Sequence, residues 1–158
     1  MTSGPSLAFP SSSPQALQTV IARIESGGNP RALRFEPRVY AENVAPATSA
    51  RIADVHGCDY ETGRIIAATS WGLFQIMGFN LWSGPHAYDS SVFAFCVDVA
   101  EQRAFFQTFL SDHGQDFTLA ELLGDEHKLL AFATFYNGDG PLYASAMRRA
   151  AGALGYAA

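Results

Sequence analysis

Leu17, Val20, Ile21 and Ile24 recur at i, i+3, i+4 and i+7, which is one face of a helix. Ser13 is placed to cap that helix, and Pro14 suits its first position. Gly27, Gly28 and Pro30 stop it. The pattern predicts a helix over residues 14–25, preceded by a flexible Ser/Pro-rich arm at residues 1–13. From 31 to 44 the signal is mixed. Leu33 and Phe35 alternate with charged residues, and Pro37 opens a helical turn carrying Val39, Tyr40 and Val44. Residues 45–70 contain the breakers Pro46, Gly57, Asp59 and Gly63 and read as a long loop, a length that points to function or to hidden structure. Ser70 caps a short apolar helix over residues 71–77, stopped by Gly78. Ser90 or Ser91 caps a stretch reaching about His113, with a break near residues 98–100 and Gly114 as its stop. Thr118 caps residues 119–123. A helix from about Glu126 carries Leu129, Leu130, Phe132, Ala133 and Tyr136, and Asn137-Gly138-Asp139-Gly140-Pro141 ends it. A last helix covers about 142–154. The expected class is mainly α, with at most a small sheet near residues 31–70, and no repeat or domain boundary interrupts residues 14–158.

Composition narrows the function. With 158 residues, 48% of them hydrophobic and 16% charged, the chain can build one domain with a real core. Its net charge of −5 disfavours a nucleic-acid partner, since phosphate contacts need clustered Lys and Arg. The basic clusters Arg31/Arg34/Arg38 and Arg148-Arg149 are short enough to be solvated faces. The same acidity gives no electrostatic help in approaching an anionic envelope. Twelve Phe and six Tyr either fill the core or line a groove that stacks on flat ligands such as sugars or bases. Cys58 and Cys96 form one disulfide or stay free, and Cys96, in an apolar run, reads as a buried thiol. His56-Gly57-Cys58 has no second pair at ligand spacing, so no metal or cofactor is expected. No apolar run reaches the roughly 18 residues of a membrane span. The N-terminus Met-Thr-Ser-Gly-Pro-Ser lacks a basic region and does not read as a signal peptide. Action in the periplasm or outside the cell would therefore depend on release or delivery by another system.

The chemistry starts from Glu25. It sits on the last turn of an anchored helix, where the negative end of the helix dipole disfavours ionisation. Partial burial acts in the same direction. A carboxyl kept protonated near neutral pH is what a general acid requires. A glutamate near a helix end is more often a solvated surface residue, so Glu25 gains weight only from two other segments. These are Ser70-Trp71-Gly72-Leu73-Phe74-Gln75-Ile76-Met77 and Phe135-Tyr136-Asn137-Gly138.

A helix-end Glu, then Gly-Leu-x-Gln, then Tyr-Asn-Gly is an arrangement that resembles goose-type lysozymes and soluble lytic transglycosylases. Leu33-Arg34-Phe35-Glu36-Pro37 and the string Trp71-Gly72-Leu73-Phe74-Gln75-Ile76-Met77-Gly78-Phe79-Asn80 are more specifically similar to the N-acetylmuramidase domain of modular phage endolysins. The resemblance covers roughly residues 14–156. It implies a lysozyme-like fold, peptidoglycan glycan strands as substrate, cleavage of the β-1,4 bond between N-acetylmuramic acid and N-acetylglucosamine, and action as a monomer.

Matched residue by residue, Glu25 takes the position of the acid, Gln75 that of the cleft glutamine, and Tyr136 and Asn137 those of the tyrosine–asparagine pair. Glu36 matches the Phe-Glu position after the first motif. Glycosidases commonly use two carboxyl groups, and Glu36, Asp59 and Glu61 are the candidates for a water-activating base, with Glu36 favoured by its motif. Its structural alternative is an ion pair with Arg34 or Arg38 that holds a wall of the cleft. Trp71 and Phe79 either stack on sugars or belong to the core. Gln75 either bonds an N-acetyl group or caps buried backbone. If no second carboxylate faces Glu25, the muramyl N-acetyl group or 6-hydroxyl is the nucleophile, and the 6-hydroxyl route makes a lytic transglycosylase with 1,6-anhydro products. A non-catalytic wall-binding module on the same scaffold is the remaining alternative, and the presence of Glu25 argues against it. The chain departs from the resemblance in two places: the link from Gly28 to Leu33 is short, and Asn137-Gly138-Asp139-Gly140-Pro141-Leu142-Tyr143 is longer than the usual Asn-Gly-Pro-Gly-Tyr.

Overall fold

The computed structural model describes residues 9–42, 44–83, 86–88 and 90–156. In chain order the described elements are α1 (Pro14–Ser26), β1 (Leu33–Phe35), α2 (Pro37–Glu42), α3 (Pro46–His56), α4 (Tyr60–Ala67), β2 (Thr69–Trp71), β3 (Ile76–Met77), α5 (Gly78–Ser83), α6 (Val92–Val97), α7 (Val99–Asp112), α8 (Leu119–Gly124), α9 (Glu126–Asn137) and α10 (Gly140–Ala153). The class is mainly α, as expected of a lysozyme-like domain, with one small antiparallel sheet in the order β1-β2-β3. The chain packs as two compact units. One joins the residues up to Gly28 to those from Phe109 onward, and the other is Asn29–Thr108.

In the first unit α1 packs on α8 and α10, and α9 packs on α8 and α10. Most of the apolar stripe read from the sequence is in this core: Leu17, Val20 and Ile21 are buried, as are Leu119, Leu122, Leu129, Phe132 and Met147 in the same unit. Burying each such side chain contributes roughly 1.5–3 kcal/mol. Pro14 sits in the first turn of α1, and Ser13 has the extended N-cap backbone but its side chain makes no capping bond. Thr118 begins α8 with a full capping box, in which its hydroxyl accepts from Glu121 N–H and the Glu121 carboxylate accepts from Thr118 N–H. Residues 1–8 of the expected arm lie outside the described residues. Behind them, Ala120 N–H donates to the Ser11 carbonyl at 3.0 Å and ties the rest of the arm to α8.

In the second unit the expectation of a loop over 45–70 is overturned: α3 and α4 occupy it. Each breaker marks a helix end or a helix contact. Pro46 is in the first turn of α3, and Gly57 caps its C-terminus in the left-handed conformation (φ 61°). The Asp59 carboxylate caps α4, accepting from Thr62 N–H at 3.0 Å. Gly63 lies buried where α4 meets α3; a Cβ there would stand 2.5 Å from the Ser49 carbonyl oxygen and 2.9 Å from Ala53 Cβ.

The helix expected over 71–77 is also corrected, because those residues form a hairpin. Thr69–Trp71 pairs with Leu33–Phe35 and then, through the turn Gly72 to Gln75, with Ile76–Met77, so the sheet extends past residue 70. Gly72 (φ 74°) and Gln75 (φ 49°) take left-handed backbone that no helix continues. Gly78 is not a stop; it opens α5. The break near residue 98 is where α6 gives way to α7, and the Ser91 hydroxyl caps α6 by accepting from Ala94 N–H.

The aromatic core of this unit is built from Phe74 stacked on Phe106 (4.1 Å, 13°) and from Trp82 edge-on to His56, Trp71 and Phe95. A buried amide, Gln102, fastens three segments. Its Oε1 accepts from Leu73 N–H (2.7 Å), and its Nε2 donates to the carbonyls of Pro30 (3.0 Å) and Phe95 (2.8 Å).

The α3–α4 contact yields a test. Gly63→Ala forces a methyl group into the Ser49–Ala53 contact and is expected to destabilise the protein by about 1–3 kcal/mol, read as a lowered denaturation midpoint at unchanged m-value. An unchanged midpoint would show that this contact is loose.

Candidate active site

Glu25 is placed by the way α1 ends. Gly27 (φ 64°) and Gly28 (φ 84°) turn left-handed directly after Ser26, and Gly28 N–H returns to the Ala22 carbonyl at 3.0 Å. The Ser26 hydroxyl donates to the same Ala22 carbonyl, also at 3.0 Å. The last turn is thereby closed, and Glu25 stands on it half-buried. The Tyr143 hydroxyl donates to Glu25 Oε1 at 2.5 Å.

Tyr143 reaches this position because α10 starts early. The Asp139 carboxylate caps it by accepting from Leu142 N–H at 3.2 Å, with Gly140 and Pro141 in its first turn. Tyr143 is buried in that turn, with its ring 5.7 Å from Tyr136. Tyr136 in turn lies nearly parallel to Phe132, 5.9 Å away and one turn earlier on α9. Phe132, Tyr136 and Tyr143 thus make an aromatic ladder that leads to the carboxylate. Desolvation raises the pKa of Tyr143, and the neighbouring Tyr136, the Glu25 charge and the hydrogen bond to Glu25 raise it further. Tyr136 is raised in the same way by desolvation and then by the Glu25 charge. Both phenols therefore stay protonated throughout the neutral range, and Tyr143 stays a donor. Asn137 is the exposed last residue of α9, followed by the left-handed Gly138 (φ 87°).

Glu36, Trp71, Gln75 and Phe79 all belong to the second unit, on or beside the sheet. Glu36 directly follows β1. Its N–H donates to the Ala68 carbonyl (2.9 Å) and its Oε1 accepts from Arg34 Nε (2.5 Å). Trp71 closes β2, with its Nε1 donating to the Ile66 carbonyl at 3.0 Å. Gln75 closes the hairpin turn, and its Nε2 donates to the carbonyls of Gly72 (3.0 Å) and Ala32 (3.3 Å). Phe79 is half-buried on α5. The other two carboxylates weighed as a base are exposed and engaged: Asp59 caps α4, and Glu61 accepts from the Tyr40 hydroxyl at 2.8 Å. Bonding to Thr62 N–H and hydroxyl holds Asp59 below the usual carboxylate range.

Cys58 and Cys96 are both free thiols. The His56 ring bridges two segments, with Nδ1 2.8 Å from the Ile52 carbonyl and Nε2 accepting from Val92 N–H (3.1 Å). Among the described residues no group of three His, Cys, Asp or Glu side chains is placed to hold a metal. No helix there is long and apolar enough to cross a membrane.

Sequence reasoning did not single out Tyr143 or Gln102. The signal for Tyr143 was present: it ends the Asn137–Tyr143 run whose length departs from the usual one. Gln102 carried no signal, because one amide in an amphipathic stretch looks solvated.

The raised phenols set an alkaline limit. A tyrosine whose folded pKa exceeds its unfolded value of 10.0 contributes stability that is fully present below pH 10 and is lost as the pH rises beyond it. Thermal melts should therefore be flat from neutral pH to about 10 and fall above it. Tyr143→Phe should fall less steeply. Equal slopes for the two proteins would remove Tyr143 from this account.

Residues 51–153 match the N-acetylmuramidase family. An endolysin of Enterobacteria phage PRD1 is 37% identical over 128 residues, covering 77% of this chain and 85% of the phage protein. No solved structure matches the chain. The family match begins after Glu25 and includes Trp71, Gln75, Phe79, Tyr136, Asn137 and Tyr143. Helical class, motif order and relatedness over most of the length agree, and the chain belongs to the N-acetylmuramidase family of peptidoglycan-degrading enzymes.

Proposed function

We propose that residues 14–158 act as one catalytic domain that cleaves the β-1,4 bond between N-acetylmuramic acid and N-acetylglucosamine, with Glu25 as general acid. The observation that carries this reading is the hydrogen bond from the buried Tyr143 hydroxyl to Glu25 Oε1. A carboxyl group fixed at the end of a closed helix turn, half out of water and oriented by a phenol that does not ionise, suits proton donation to a glycosidic oxygen. Gln75, Trp71, Phe79, Tyr136 and Asn137 are proposed to line the saccharide site. The chain then acts on the bacterial cell wall, a reading in line with its likeness to a phage endolysin.

Glu36 is the proposed base for a hydrolytic water. Its engagement by Arg34 favours a second reading, in which Glu36 holds a wall and the muramyl 6-hydroxyl attacks instead. The two readings differ in product. Hydrolysis adds water and leaves a reducing end; the internal attack leaves a 1,6-anhydro ring.

Glu25→Gln keeps an oxygen for Tyr143 to bond, so its melting temperature should match the wild type while cleavage of purified peptidoglycan falls by at least about 100-fold, the low end for losing a general acid. Normal cleavage by that variant would refute the assignment. Mass spectrometry of the wild-type products should show reducing-end N-acetylmuramic acid, and a further drop on Glu36→Gln would support its role as base. Anhydro products would establish the second reading.

A further inference from the structure

Beside the sheet, wholly within the second unit, lies a groove of about 540 Å³. Its wall is apolar: Leu33 and Trp71 on the strands, and Val92, Phe93 and Val97 on α6. Phe93 is 85% exposed, Leu33 63% and Val97 62%. Single exposed apolar residues need no explanation, but several around one concavity mark a binding surface. The volume falls within the roughly 300–1,000 Å³ of small-ligand clefts.

Among the described residues that line this groove one is charged, and it is positive. Arg31 lines it, in a chain whose net charge is −5. Its guanidinium makes no hydrogen bond or ion pair among the described residues. The Cys96 thiol in the same wall feels that charge: burial raises the thiol pKa and Arg31 opposes the rise. The backbone around Arg31 is fixed on both sides. Pro30 O accepts from Gln102 Nε2, and Ala32 O accepts from Gly72 N–H (2.8 Å) and from Gln75 Nε2. A cation carried on a pinned backbone segment beside an apolar trough suits a small apolar ligand with a carboxylate.

We propose that this groove binds the peptide stem of peptidoglycan, with Arg31 on a stem carboxylate and the alanine methyl groups against Trp71, Leu33 and Phe93. The inference rests on peptidoglycan being the substrate. It adds recognition of the peptide to that of the sugar, with Trp71 shared between the groove and the proposed saccharide site. A glycan strand offers hydroxyls and N-acetyl groups. The stem offers what the groove complements, namely short side chains and free carboxylates.

The test is titration of the ¹⁵N-labelled wild-type chain with synthetic L-Ala–γ-D-Glu–diaminopimelate–D-Ala, followed by NMR at Trp71 Nε1 and Arg31 Nε. Saturable shifts at both are expected. Arg31→Ala should bind roughly fivefold more weakly, the fold-change of one exposed ion pair, and Phe93→Asp should not bind. Added salt should weaken the wild-type interaction. No shifts, or shifts confined to other residues, would overturn the proposal. So would concentration-dependent shifts of the same signals without peptide that Phe93→Asp abolishes, since the occupant would then be a second copy of the chain. In parallel, digestion of intact peptidoglycan is compared with that of amidase-stripped glycan. If neither is cut, the proposed function fails while the titration still decides the groove. If both are cut alike and the peptide does not bind, the groove proposal alone fails.

Discussion

The hairpin that carries Trp71 and Gln75 depends on one buried side chain. Gln102 has no exposed surface, and three of its hydrogen bonds go to backbone groups on Leu73, Pro30 and Phe95. These groups come from separate segments that lack a regular ladder at that point. Leaving any one of them buried and unpaired would cost about 1–3 kcal/mol. The turn is shaped to admit this amide: a Cβ on Gly72 would stand 2.5 Å from Gln102 Oε1, and the backbone there is left-handed. The Gly-Leu step that looked like a family signature is thus a requirement for close approach. The same amide holds the Pro30 carbonyl, next to Arg31.

The first unit solves a different problem by different means. It must hold one carboxyl group partly out of water, and it does so with aromatic packing. Phe132 and Tyr136 brace Tyr143, whose hydroxyl is the contact to Glu25. Desolvation keeps these phenols neutral, so neither places a negative charge beside Glu25 as the solution becomes mildly alkaline. A tyrosine is suited to this work because its ring supplies buried area while its hydroxyl supplies the bond.

Much of this was legible in the residues, and the failures have physical causes. Helix ends with side-chain caps read well: Ser91, the Thr118-x-x-Glu121 box and the Gly27-Gly28 stop all appear as their chemistry predicts. Residues 45–70 did not, because Pro46, Gly57 and Asp59 punctuate two short helices and their density looks like a loop. Over 71–77 a brief apolar run has no period long enough to separate helix from strand, and only the left-handed Gly72 and Gln75 decide it. Motif order offered Glu25 and Tyr136 as candidates. It did not offer Tyr143, since its place depends on where Asp139 starts α10, which spacing alone does not reveal.

The bond between Tyr143 and Glu25 joins residues 118 positions apart. The unit that contains it is assembled from an early and a late stretch of the chain, with Asn29–Thr108 made in between. On a ribosome, α1 emerges long before any partner for its apolar face exists. The second unit can collapse first, since all its segments are contiguous. Glu25 gains its donor only after α10 has left the exit tunnel. A nascent or truncated polypeptide therefore carries the carboxylate without the phenol that orients it until the Asn29–Thr108 unit and the start of α10 have both been made.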